Sequence, residues 1–338
     1  MADYLLSFAK TRGLSCHEDD AGSNGNAGNV IITHGDGGKT LFMSHMDTAR
    51  STASLKPVLL EDRITSDGQT VLGVDNRAGI TILLTAIDKI LEQNLNDVCF
   101  TVVFTICEES SLAGSNHLSI PANITQGYAF DSAYHPGTYI FKAPGAKYFN
   151  VEVQGKASHA GMAPEDGINA LKIAAQAIVG LPLGRVDPES TMNIGPFSCT
   201  AATNVVPPRV SFSGEIRSAT VSKVEEMDTS LQKHLAQSLT NTGATFSYKS
   251  DWDFHPYTIE PDAPLRLRLE TAIRSVGLEP SGLHSFGGSD VNVLNGKGTP
   301  AINLGIGAQN PHSNDEFILI EDLINATKIA MELMQNEF

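Results

Sequence analysis

Two rhythms of apolar and polar positions divide this chain. Up to about residue 145, short apolar runs end abruptly on polar residues and alternate with helix-spaced segments. Residues 39–44 (KTLFMS), 99–107 (CFTVVFTIC) and 128–131 (YAFD) are such runs. Between the first two, Ile80, Leu83, Leu84, Ile87, Ile90 and Leu91 recur at helical spacing, with Asp75 or Asn76 placed to cap the helix. Unbroken apolar strands alternating with helices predict a largely parallel sheet covered on both faces.

The rhythm changes near residue 147. Phe149, Val151 and Val153 alternate with Asn150, Glu152 and Gln154, as in a half-buried strand. A helix over 168–179 follows, then strands near 191–195 and 209–216, a helix over 222–238 and a strand over 244–250. That βαββαβ order predicts a ferredoxin-like sandwich with one sheet face uncovered. Past residue 255 the α/β pattern resumes with a helix over 263–276, a strand over 300–305 and a helix over 321–335. The expected architecture is a discontinuous α/β domain, residues 1–146 and 256–338, with a lid of residues 147–255 inserted into it.

Composition narrows the partners. A formal charge of −15 argues against nucleic acid or an anionic membrane, since both recruit clustered Lys and Arg. No apolar run approaches the ~18 residues of a membrane span, and the opening MADYLLSFAKTRG lacks the basic and apolar regions of a secretion signal. Cys16, Cys99, Cys107 and Cys199 are scattered, which predicts reduced thiols and a cytoplasmic protein.

Open α/β sheets bind ligands at the carboxyl ends of their strands, and there the chain places its polar residues. The first run ends in SHMDTA, with His45 and Asp47. VLGVDNRAG puts Asp75 at a turn into a helix. Glu108 and Glu109 follow TVVFTIC, Asp131 ends YAF, and His312 follows PAINLGIG in NPHSNDE. Singly, each has a plainer reading: Asp75 a helix cap, Asp131 a turn residue, His312 a loop histidine. Jointly, two histidines and several carboxylates at one sheet edge suit a pair of borderline cations such as Zn²⁺, with one carboxylate shared.

HMDT, LGVDNRAG, CEESSLAG, AFDS, GKASHAGMAPEDGINA, TNVVP, GEIRS, GGSD and NPHSNDE together resemble, in order and spacing, the M20 metallopeptidases, most closely their peptidase T-like branch. The resemblance runs from about residue 40 to the end. It implies a catalytic domain with two divalent ions, zinc foremost and cobalt or manganese as alternatives, and a lid that forms a homodimer. It places His45, Asp75 and Asp131 on one ion and Asp75, Glu109 and His312 on the other. Asp47 orients His45, and Glu108 is the general base acting on a metal-bridging water. His159 on the lid serves the partner subunit's site; without the family it reads as a turn histidine. Asn204 and Arg217, together with Gly288 and Ser289 of the GGSD loop, correspond to substrate-binding positions; on pattern alone Arg217 is a polar residue at a strand end.

Two departures stand out. PFSCTAATN occupies the place of a glycine-rich turn before TNVVP, so the hinge near Cys199 is expected to pack differently, and the chain is shorter than the peptidase T enzymes. The implied activity is that of an exopeptidase on short peptides, with Asp131 favouring the aminopeptidase type. An N-acyl-amino-acid amidohydrolase would use the same residues, and a non-catalytic small-ligand binder would retain the fold without needing Glu108.

Overall fold

Apolar runs that lack alternation become strands buried on both faces. In the computed structural model, which describes residues 1–22, 26–93, 95 and 97–336, every residue of the strands Thr40–His45, Phe100–Thr105 and Ala301–Gly305 is buried. With Gln126–Ser132 they form the middle of a nine-stranded sheet, ordered Phe100–Thr105, Thr40–His45, Gln126–Ser132, Ala301–Gly305. All three pairings among them are parallel. Antiparallel strands flank this centre, Val30–His34 on one side and Thr138–Ala143 on the other. The architecture is therefore mixed α/β with a mostly parallel centre, as the sequence pattern predicts. Their common polarity gathers the strand ends at one edge.

The chain divides into two compact units. One comprises Met1–Lys142, Thr258–Ser285 and Ser289–Phe338; the other comprises Ala143–Tyr257 and Phe286–Gly288. Among the described residues no helix is long and apolar enough to cross a membrane, and none of the four cysteines is in a disulfide.

The structure resolves one local expectation and corrects another. The helix Val74–Glu92 begins irregularly, with Asp75 and Asn76 outside helical geometry. The Asn76 side chain accepts the Gly79 N–H at 2.9 Å, so Asn76, not Asp75, caps the regular turns. Gly79 is required there, because a Cβ would lie 2.1 Å from the Phe130 carbonyl oxygen. Second, Glu108 and Glu109 do not end a strand. The strand stops at Thr105, Cys107 turns left-handed at φ 56°, and the glutamates open the helical turn Glu108–Ser111. Successive residues on a helix diverge by about 100°, so the two carboxylates still point apart.

In the second unit the alternating segments pair as an antiparallel five-stranded sheet, ordered Gly184–Asp187, Ser190–Ser198, Arg209–Ser218, Gly145–Gln154, Thr245–Phe254. Helices Ala170–Val179 and Val221–Ser238 bury Ala174, Ala177, Val224 and Leu231 against Phe149, Val151, Val153, Phe212 and Ile216 of the sheet. The Asn169 and Thr220 side chains cap these helices by accepting the Lys172 and Lys223 N–H groups, a contact worth ~1 kcal/mol each. The βαββαβ order is present with one added edge strand, Gly184–Asp187. Its sequence GRVD carries no apolar alternation that could reveal it. Cys199 packs against this core.

Candidate metal centre

Parallel strands carry His45 and Asp131, and the turns and loop beyond strand ends carry Asp75, Glu109 and His312. His45, the last residue of Thr40–His45, is only 2% exposed. Its Nε2 lies 3.1 Å from Asp75 Oδ1 and 3.1 Å from Asp131 Oδ1. His312, on the loop after Ala301–Gly305, brings its Nε2 within 3.3 Å of Asp75 Oδ2 and 3.3 Å of Glu109 Oε1. Two clusters result, His45–Asp75–Asp131 and Asp75–Glu109–His312, each with its ligand atoms within 4.8 Å of one another. Asp75 belongs to both, one oxygen facing each imidazole. Glu108 belongs to neither.

Four of the five cluster members are braced. The Asp47 carbonyl oxygen lies 3.1 Å from His45 Nδ1, and the Asp47 carboxylate accepts the backbone N–H groups of Glu108 and Glu109 at 3.1 Å each. One aspartate thus orients the imidazole and anchors the turn that carries both glutamates. Asp131 accepts from the side-chain amides of Asn76 at 2.8 Å and Asn303 at 3.3 Å. Glu109 accepts the Ala49 N–H at 3.1 Å.

Glu316 was not visible as a site residue in the sequence. It is 1% exposed. Its Oε2 accepts from Gly73 N at 2.6 Å and Val74 N at 3.3 Å, and its Oε1 accepts from His312 N at 2.7 Å. The available signal was an acidic residue inside the otherwise polar NPHSNDE loop.

The charge balance of the site is lopsided. Asp47, Asp75, Glu108, Glu109 and Asp131 crowd around two imidazoles, and among the described residues no Lys or Arg pairs with any of these five. Burial, then the charge of Asp75, pushes the Glu109 carboxyl up to about 7. Burial, then Asp131, holds Glu108 well above the usual carboxylate range. Burial opposes the charge on Asp75, yet His312 and His45 pull its pKa down to about 2. Burial likewise opposes charge on His45, but Asp131 and its other acidic neighbours raise its pKa well above the ordinary value. Such crowding is the condition a divalent cation relieves, and mixed imidazole and carboxylate donors fit zinc-like ions. The residues present therefore fit two cations sharing Asp75.

The remaining positions singled out by sequence belong to neither cluster. His159 and Asn204 are exposed; His159 Nδ1 accepts the Gly161 and Met162 N–H groups at 3.2 Å, and the Asn204 carbonyl accepts the Ala160 N–H at 2.9 Å. Arg217 is bidentate to Glu215 at 2.9 Å for each contact and stands 5.7 Å from the Phe254 ring. Gly288 lets that ring approach, since a Cβ there would meet it at 2.3 Å. The Ser289 side chain caps the helix Asp290–Gly296 in a capping box with Asn292.

Comparison with known proteins agrees with this geometry. Residues 141–242 match the family described as a peptidase dimerisation domain. The chain is 32% identical to the uncharacterized protein YqjE of Bacillus subtilis (strain 168), over 96% of this chain and 89% of that protein. It is 27% identical to Peptidase T of Clostridium perfringens (strain 13 / Type A), over 87% of this chain and 80% of that protein. The crystal structure of aminopeptidase PepT from Bacillus cereus ATCC 10987 superposes with a TM-score of 0.88 at 32% identity, covering 98% of this chain and 91% of that one. Fold and site together define a hydrolase of the metallo-exopeptidase class. Within that class, the chain belongs to the M20 peptidases, in the peptidase T-like branch.

Proposed function

We propose that the protein is a dizinc exopeptidase of the aminopeptidase or tripeptidase type that hydrolyses short peptides. The observation that carries this reading is the sharing of Asp75 between two three-ligand clusters, with an unligated Glu108 beside them. His45, Asp75 and Asp131 would hold one ion, and Asp75, Glu109 and His312 the other. When bound, the two ions would supply Lewis acidity, lowering the pKa of a water between them and polarising the scissile carbonyl.

The protein's own groups handle the proton. Glu108 takes one proton from the attacking water and returns it to the amine nitrogen as the C–N bond breaks. Asp47 keeps Glu108 in register through the backbone and fixes the ring orientation of His45. Asn204 and Arg217 on the lid bind substrate. With two N–H groups of Arg217 already on Glu215, the remaining ones are left for a peptide carboxylate. Gly288 and Ser289 belong to the loop nearest the substrate in this reading. The active unit is a homodimer, each His159 stabilising the oxyanion in the partner's site.

Hydrolysis of free and N-acetylated di- and tripeptides, with and without chelator, tests this. Chelator-sensitive cleavage of the free peptides is expected. Cleavage of only the N-acetylated series would instead make the protein an N-acyl-amino-acid amidohydrolase. No hydrolysis by the metal-loaded protein would leave a binding protein.

A further inference from the structure

Glu316 spends a fully buried carboxylate on backbone alone. Its three hydrogen bonds go to two separate segments, Gly73–Val74 before Asp75, and His312. A buried carboxylate is costly unless its oxygens are fully used, and accepting several N–H donors stabilises its charge. Its own main chain is fixed as well, because Thr65 Oγ1 donates to the Glu316 carbonyl at 3.0 Å. Gly73 takes a positive φ of 67°, and a Cβ there would lie 2.7 Å from Arg77 Nη1 and 2.9 Å from Thr48 Cγ2. The loop is therefore shaped to bring its N–H groups onto Glu316.

The two clusters are not supported alike. His45 and Asp131 are held by Asp47, Asn76 and Asn303, none of which touches His312. His312 is half exposed, sits at φ 66°, and has Glu316 as the buried anchor of its backbone N–H. We propose that Glu316 is a positioning residue that sets the separation of Asp75 and His312, and so specifically creates the Asp75–Glu109–His312 cation site. It acts through backbone, without touching either ion. The inference rests on the two-cation reading above.

The test is metal binding, read independently of catalysis. Metal-free wild type, Glu316→Gln, His312→Ala and the double variant are titrated with Zn²⁺ against a chromophoric chelator, and with Co²⁺ by absorption. Asp315→Asn, an exposed neighbour, is the control. Wild type and the control should each take up two ions. Glu316→Gln should hold one ion with unchanged affinity and the second about 10- to 100-fold more weakly, the usual effect of removing a residue that orients a ligand. The surviving Co²⁺ spectrum should match that of His312→Ala, and the double variant should be no worse than His312→Ala alone. Two ions bound with wild-type affinity by a folded Glu316→Gln would overturn the inference, as would equal weakening of both. If Glu316→Gln does not fold, Glu316→Asp, which keeps the charge but shortens its reach, should show the same selective loss. Failure of both to fold would make Glu316 a residue of general stability and overturn the selective role. Wild type taking up fewer than two ions would instead defeat the two-cation reading itself.

Discussion

Asp47 and Glu108 are tied through backbone, the Glu108 N–H donating to Asp47 Oδ1 at 3.1 Å. The same carboxylate takes the Glu109 N–H, and its Oδ1 lies 3.4 Å from His45 Nδ1. Asp47→Ala should therefore disturb base and ligand together. Metal affinity should fall about 10- to 100-fold. The rate at saturating metal should fall as well, because Glu108 loses its anchor. Full activity restored by excess zinc would confine Asp47 to the histidine.

Glu108→Gln should keep both ions yet lose ~10²- to 10⁴-fold in rate, the usual worth of a positioned general base. Metal analysis paired with single-turnover assays reads this. If Glu108→Gln loses an ion while Glu109→Gln retains both, the two roles are exchanged.

Without metal, the site should make the fold sensitive to pH. Glu109, with its pKa pushed up to about 7, favours the folded state when protonated. That contribution is complete below its unfolded pKa of about 4.5 and lost as pH rises through about 7. His45 and His312, both raised, act in the same sense: their stabilisation is complete below about 6.5 and lost above it. Asp75, lowered to about 2, contributes throughout this window and cancels none of it. The Tm of chelated protein should fall between pH 5 and 8, whereas bound cations, by favouring the deprotonated ligands, should hold that of the metal-loaded protein. Parallel Tm curves for the two forms would show that these groups are not titrating in the fold.

His159 can be tested by mixing two inactive proteins, His159→Ala and Glu108→Gln, under conditions that exchange subunits. If His159 serves the partner's site, each hybrid dimer contains one intact site and one site with both defects. Random exchange makes half the dimers hybrid, so about a quarter of wild-type activity should return. If His159 serves its own chain, every site keeps one defect. Verified exchange with no recovered activity removes the trans role.

The parallel strands were legible because burial on both faces leaves unbroken apolar runs, and His45 and Asp131 were legible as the polar residues ending two of them. Less legible was what turns and side-chain hydrogen bonds decide. Nothing in CEESS says that Cys107 turns left-handed, so the glutamates read as a strand end. Asp75 and Asn76 are equally good caps by type, and only the fold shows Asn76 bonded to Gly79. Glu316 was hidden because its partners are backbone N–H groups, those of Gly73 and Val74 far away in sequence, and no spacing rule records such bonds. The strand Gly184–Asp187 was hidden because an edge strand needs no apolar stripe.

The long segment of the second unit, Ala143–Tyr257, enters and leaves the first unit through neighbouring positions. At its base, Phe254 lies opposite Ala146 in the paired strands Thr245–Phe254 and Gly145–Gln154. On the other unit, Ile259 N donates to the Phe141 carbonyl at 2.8 Å, so the two ends left by the insertion are already side by side. In gene-engineering terms the insertion behaves as a cassette. A shortened gene joining the codons around 142 and 258 through a tight turn would ask the first unit to close only a gap its own hydrogen bond already spans. Different domains could then be exchanged at that junction without redesigning the sheet that carries His45 and Asp131.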